Sequence, residues 1–359
     1  MDDVAFQEGL EAHRAGRMDD AAAAYRRALA EQETPAAAHN LGVVLSAQFL
    51  FREALEALEL ADRLRPDHPQ TLIALGRVVM LLRRPREAEV ILRRALELAP
   101  DSADARVRLG WALMMQGRYL EGWPFLESRR ARVADPLKGV SFPEWRGEPL
   151  DGRSILVWGE QGLGDEIQAA RFIPILRERG ASAITVVGNA LNVRLFEQLG
   201  ADRVVVREGP MSVAGHDVWT LLWSIPGRLG VTPDTIPNAA YLKSRSGLAA
   251  DLGRVGVSWR GNPMNANDRQ RSMPDDRLMR LVPGAVALEP RGDTLDSLDQ
   301  IANLSLVITV DSAWAHLAGA MGKPCWLLLS HAGVDWRWFP EAATTPWYPS
   351  VRLFWQAHP

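Results

Sequence analysis

The chain has 359 residues, 47% hydrophobic and 24% charged, values that exclude wholesale disorder and leave room for two or three domains. Its 41 basic and 44 acidic side chains give a net charge of −3, so whole-chain charge directs it to neither nucleic acid nor an anionic membrane. One cysteine, Cys325, excludes an internal disulfide or a cysteine-built zinc site and fits a reducing, cytoplasmic setting. The acidic start Met1-Asp2-Asp3 does not read as a signal peptide, and no apolar stretch approaches the roughly 20 residues of a membrane span.

The first third of the chain repeats. Glycines recur at Gly9, Gly42, Gly76 and Gly110, at spacings of 33, 34 and 34. Alanines keep the same period at Ala21, Ala54 and Ala88, and again at Ala28, Ala61 and Ala95. Tyr25, Leu58, Leu92 and Leu126 fill the slot between them, and Pro66 and Pro100 close two units. The period predicts pairs of antiparallel helices. Small residues let the paired helices approach, large ones fill the layer, and proline ends the second helix. The pattern resembles the tetratricopeptide repeat (TPR), and predicts an α-solenoid over residues 2–133 with a degenerate fourth unit. The resemblance implies a concave peptide-binding surface. Projected onto this chain, that face carries His39, Asn40, Val43, Ile73, Arg77, Val107, Trp111 and Met114. Trp111 and Met114 read either as a peptide groove or as packing against the following domain. Asn40 alone supplies a groove amide; Ala74 and Arg108 occupy its equivalent slots.

Residues 134–153 read as a linker because periodicity stops and Pro136, Gly139, Pro143, Gly147, Pro149 and Gly152 punctuate them. Beyond it, short apolar strands alternate with helical stretches. Strands are predicted at 155–158, 184–187 and 204–206, with helices over 165–179 and 191–199 between them. A second set of strands follows at 255–259, 286–289, 306–310 and 325–329. This alternation predicts parallel sheets covered on both faces, in two Rossmann-like lobes over 154–248 and 249–345, with a tail over 346–359. Ligands of such sheets bind beyond the carboxyl ends of the strands.

Three motifs sit at those ends. Gly159-Glu160-Gln161-Gly162-Leu163-Gly164-Asp165 is a glycine-rich turn into a helix, suited to close backbone approach and to an anion at the helix start. From spacing alone Asp165 reads as a helix cap. Ser258-Trp259-Arg260-Gly261-Asn262-Pro263, then Arg269 and Arg271, places guanidiniums at a strand end, where they suit phosphate or a plain solvated loop equally. Thr309-Val310-Asp311-Ser312-Ala313-Trp314-Ala315-His316 ends a strand and starts a helix that Asp311 or Ser312 can cap. A lone helical histidine such as His316 is usually structural.

In this order, with Arg271-Ser272-Met273-Pro274 between the last two, the motifs resemble TPR proteins that carry a glycosyltransferase module similar to the lipopolysaccharide heptosyltransferases. The resemblance covers about residues 145–356. It implies a GT-B fold and an inverting, metal-independent transfer from a nucleotide-sugar, with no further cofactor. It matches Asp165 to the general base of the glycine-rich loop, in which Gln161, Gly162 and Gly164 also fall. It places Arg260, Asn262, Arg271, Asp311, Ser312 and His316 on the donor side. The TPR face, with Asn40, Arg77 and Trp111, would recruit a protein acceptor. The alternatives are a non-catalytic TPR scaffold with a degenerate module, and an epimerase or hydrolase on the same fold.

Overall fold

The computed structural model describes residues 4–132, 140–208, 213, 215–245, 253–265, 268–273, 276–333 and 335–357. Part of the predicted linker (134–139), the junction at 246–252 and the motif residue Pro274 lie outside them. The chain divides into two compact units. Among the described residues no helix is long and apolar enough to cross a membrane.

The first unit is eight helices in four antiparallel pairs. They are α1 (Val4–Arg14) with α2 (Met18–Glu31), α3 (Pro35–Ala47) with α4 (Phe51–Leu64), α5 (Pro69–Leu81) with α6 (Pro85–Leu98), and α7 (Ala103–Met114) with α8 (Tyr119–Leu126). Proline opens α3, α5 and α6, where its missing N–H costs nothing. Thr34 and Ser102 cap α3 and α7 by accepting from the N–H groups of Ala37 and Ala105, both at 3.3 Å. The periodic glycines are the contact points within each pair. A Cβ at Gly9 would lie 2.5 Å from the Tyr25 ring, one at Gly42 2.5 Å from Leu58 and one at Gly76 2.6 Å from Leu92. Tyr25, Leu58 and Leu92 have no exposed surface, so each interlock is complete. The segment Ala332–Trp336 belongs to this unit. Gly333 N–H donates to the Leu81 carbonyl at 3.0 Å, and Trp336 meets Tyr119 and Trp123 edge-on.

The second unit holds two sheets. The first runs β3-β2-β1-β4, all parallel, from β1 (Ser154–Trp158), β2 (Ala183–Gly188), β3 (Arg203–Val206) and β4 (Val218–Leu221). The second runs β6-β5-β7-β8-β10-β9, from β5 (Val255–Ser258), β6 (Val286–Ala287), β7 (Leu306–Val310), β8 (Cys325–Leu329), β9 (Thr344–Thr345) and β10 (Tyr348–Trp355). It is parallel except for β9 on β10. Central strands β1 and β7 are buried at four of five positions, as continuous apolar runs in a covered parallel sheet require. The helices are α9 (Leu163–Ala169), α10 (Ile173–Glu178), α11 (Val193–Gln198), α12 (Ile225–Arg228), α13 (Asp268–Arg271), α14 (Arg277–Leu281), α15 (Thr294–Ala302) and α16 (Ala313–Ala320).

Four local expectations change. The helix predicted over 165–179 breaks into α9, a tight 3-10 turn at Ala170–Phe172, and α10. Pro174 at the start of α10 lacks the N–H that would continue the ladder. Residues 140–153 of the predicted linker pack on the first sheet. Trp145 is fully buried there, its indole N–H donates to the Glu148 carbonyl, and its backbone N–H donates to the Trp219 carbonyl of β4 at 2.8 Å, while the Trp219 N–H donates to the Pro143 carbonyl at 3.0 Å. Strand β4, which lies outside the predicted strands, joins the first sheet beside β1. The predicted tail over 346–359 contains β10, because Val351 and Leu353 insert as buried residues beside β8.

Candidate functional site

In the helical unit a cavity of about 370 Å³ opens on the first helices of successive pairs, lined by His39, Val43, Ile73, Arg77, Asp104 and Arg108 among others. His39 Nδ1 and His68 Nδ1 each lie 3.1 Å from the buried Thr71 hydroxyl, so one hydroxyl joins the two imidazoles. Burial, and then the neighbouring His68, lowers the proton affinity of His39. Arg108 pairs with Asp104 at 2.8 Å, and burial lowers its pKa to about 10. Of the projected face, His39, Val43, Ile73 and Arg77 line the cavity, and Asn40 and Trp111 are half-buried. Val107 and Met114 are buried instead. Met114 packs on Gly122 of α8.

In the α/β unit the glycine-rich turn leaves the carboxyl end of β1. Its glycines answer to packing. A Cβ at Gly159 would lie 2.6 Å from Glu166 and 2.7 Å from the Val187 carbonyl, and one at Gly164 2.7 Å from His316. Gln161 takes a left-handed φ of 66°. Gly162 N–H donates to Asp165 Oδ2 at 3.0 Å, so Asp165 does cap its own helix. The other carboxylate oxygen, Oδ1, receives Arg337 Nη2 at 2.7 Å. Arg337 is buried, with its guanidinium 4.5 Å from the centre of the Trp223 ring. Sequence reasoning missed Arg337, which stands 172 positions away with no motif around it.

A second support lies beneath the turn. Arg207 donates to the Gly159 carbonyl at 2.5 Å and reaches the Glu166 carboxylate at 3.4 Å. Glu166 is fully buried and accepts from the Asn189 N–H and the Asn192 amide. Burial raises its pKa despite those partners.

On the other sheet, Arg260 and Asn262 are exposed in the loop after β5; Arg260 lies over Trp259, and Asn262 Oδ1 accepts from the Met264 N–H. Arg271 rests on Gly261 and pairs with Asp268 at 3.4 Å. Asp311 and Ser312 are half-buried at the end of β7. The Ser312 hydroxyl sits 3.0 Å from that of Thr309 and does not cap α16. His316 is buried, with Nδ1 3.1 Å from the Tyr348 hydroxyl and its ring against Trp338 and Tyr348. Burial holds this imidazole neutral, and the charges of Arg337, Arg171 and Arg271 reinforce the effect. The structure therefore brings Gly164, Asp165, His316 and Arg337 together, with the Arg271 charge near enough to act on His316. Arg260 and Asn262 stay in solvent-facing positions.

Residues 6–69 and 80–122 match family models of the tetratricopeptide repeat. The chain is similar to Protein FlbA of Caulobacter vibrioides, at 25% identity over 425 aligned positions, covering 91% of this chain and 70% of FlbA. Among solved structures it is similar to YrrB, described as a TPR protein with an unusual peptide-binding site, at 23% identity and a TM-score of 0.33. That likeness covers 36% of this chain, and the chain spans 66% of YrrB. It is also similar to MamA, at 23% identity and a TM-score of 0.34, over 36% of this chain and 72% of MamA. The N-terminal helical array is a set of tetratricopeptide repeats, followed by a parallel-sheet α/β region.

Proposed function

We propose that the α/β unit is an inverting glycosyltransferase of GT-B-like build, acting on a nucleotide-sugar, and that the TPR array recruits its protein acceptor. One observation carries the reading. The glycine-rich turn of the first sheet meets α16 of the second at Gly164 and His316, beside the Asp165 carboxylate and close to three guanidinium charges. A carboxylate beside a cationic strand-end region is what transfer from a sugar diphosphate requires.

In this reading the acceptor hydroxyl oxygen attacks the anomeric carbon while its proton passes to Asp165. The bond from that carbon to the diphosphate oxygen breaks, its electron pair leaves with the diphosphate, and configuration inverts. Arg271 and the exposed Arg260 neutralise the leaving charge. The cavity at His39 and Arg77 offers the recruited segment both apolar walls and cationic groups.

A second reading, a TPR scaffold without catalysis, is favoured by the partners already in place: Asp165 on Arg337, Arg271 on Asp268 and His316 on Tyr348. Thermal unfolding with a panel of nucleoside diphosphates and nucleotide-sugars separates the two. Binding to the native state stabilises by about 2.7 kcal/mol at a hundredfold excess over Kd. The transferase reading expects one nucleotide to raise Tm selectively, and Arg271→Ala to abolish the rise. A flat panel favours the scaffold.

A further inference from the structure

We infer that Arg337 is a positioning residue of this site, holding the Asp165 carboxylate ionised and in one orientation to receive the acceptor's proton. The inference rests on the glycosyltransferase reading above.

The geometry divides the work between the two carboxylate oxygens. Oδ2 takes the Gly162 N–H, which is all that capping α9 needs. Oδ1 takes Arg337 at 2.7 Å. The Asp165 side chain is 27% exposed and that of Arg337 6%, so the carboxylate is the open partner and the cation the closed one. A cap alone does not explain this. Burying a guanidinium is costly unless its geometry is well supported. Here Trp223 stacks on the guanidinium, and the Thr345 hydroxyl donates to the Arg337 carbonyl at 3.0 Å, fixing the backbone that carries it. A cation fixed against one oxygen favours the charged form and stops rotation of the carboxyl group. Arg337 itself neither gains nor loses a proton in the step. It donates first to the carboxylate and then to the neutral acid.

The test is a carbon-13 NMR titration of the aspartate carboxyls of the full chain, with Asp165→Asn assigning the signal. Arg337→Met is expected to raise the Asp165 midpoint by about one pH unit or more, and Arg337→Lys to restore at least half of that shift. An unchanged midpoint in Arg337→Met overturns the inference. Should Arg337→Met not fold, the unmutated protein still decides. Its Arg337 guanidinium nitrogen signals should move with the Asp165 midpoint, and signals flat across it overturn the pairing. These titrations need no substrate, so they stand apart from the glycosyltransferase reading. With a donor that turns over, Arg337→Met should lower kcat about tenfold or more, move the acid limb of the rate profile to higher pH, and leave the donor KM within about twofold. Coupled titrations without transfer from any donor in the panel defeat the glycosyltransferase reading, and the catalytic part of Arg337 with it.

Discussion

The Arg171 guanidinium donates to the Trp347 carbonyl at 2.7 Å, joining the turn between α9 and α10 to the start of β10. It also donates to the Gln168 carbonyl and lies over the rings of Tyr241, Trp347 and Tyr348 at 4.8, 5.2 and 4.5 Å. Arg171→Met keeps much of the volume and removes the guanidinium donor from the Gln168 and Trp347 carbonyls. It should cost the α/β unit about 3 kcal/mol or more. Urea unfolding followed by tryptophan fluorescence should show a lower midpoint at unchanged slope. A loss below about 1 kcal/mol would deny Arg171 this fastening role.

Gly76 has no room for a methyl group against Leu92. Gly76→Ala should destabilise the helical array by about 1–3 kcal/mol through overpacking. In a double-mutant cycle with Leu92→Ala the two losses should fall short of their sum, since the clash needs both residues. Strict additivity would place the cost of Gly76→Ala elsewhere.

The turn inside each helical pair has a left-handed residue: Gly16 at φ 74°, Phe49 at 65°, Arg83 at 60° and Gly117 at 76°. Side chains at Phe49 and Arg83 bear a strain that glycine does not. Arg83→Gly should therefore stabilise the array by up to about 1 kcal/mol, although added freedom in the unfolded chain offsets part of the gain. Circular dichroism melting of the two proteins side by side reads the sign directly.

His316 is held neutral by burial, with a pKa well below its ordinary 6.5. Between the lowered native value and 6.5 the unfolded chain binds a proton that the native state does not, so stability rises with pH across that window. It should fall as the pH drops below about 6.5, by at most ~1.4 kcal/mol per pH unit from this group. His316→Gln should flatten that slope relative to the parent over the same range. An identical slope in the variant would assign the pH dependence to other groups.

The helical array was legible because its signal is periodic: four glycines and four large partners repeat a contact that one unit already defines. The left-handed turns escaped notice because Phe49 and Arg83 interrupt the series that Gly16 and Gly117 begin and end. In the α/β unit the apolar strands announced themselves, but β10 carries Pro349 and alternates buried with exposed residues, so it reads as a tail until β8 is beside it. Trp145 was hidden among prolines and glycines that also describe a linker. The glycine-rich turn was visible, whereas Arg337 and Trp223 reach Asp165 only through the tertiary fold. No local spacing encodes that meeting.

The six-stranded sheet ends at both margins in a strand of two residues, Val286–Ala287 on one side and Thr344–Thr345 on the other. A margin that short offers a passing chain too few free N–H and C=O groups to template a further strand. The apolar strands β7 and β8, which would be hazardous at an edge, are confined to the interior of the sheet. Strand order thus keeps β7 and β8 out of edge-to-edge pairing between molecules for as long as β5 and β10 stay beside them.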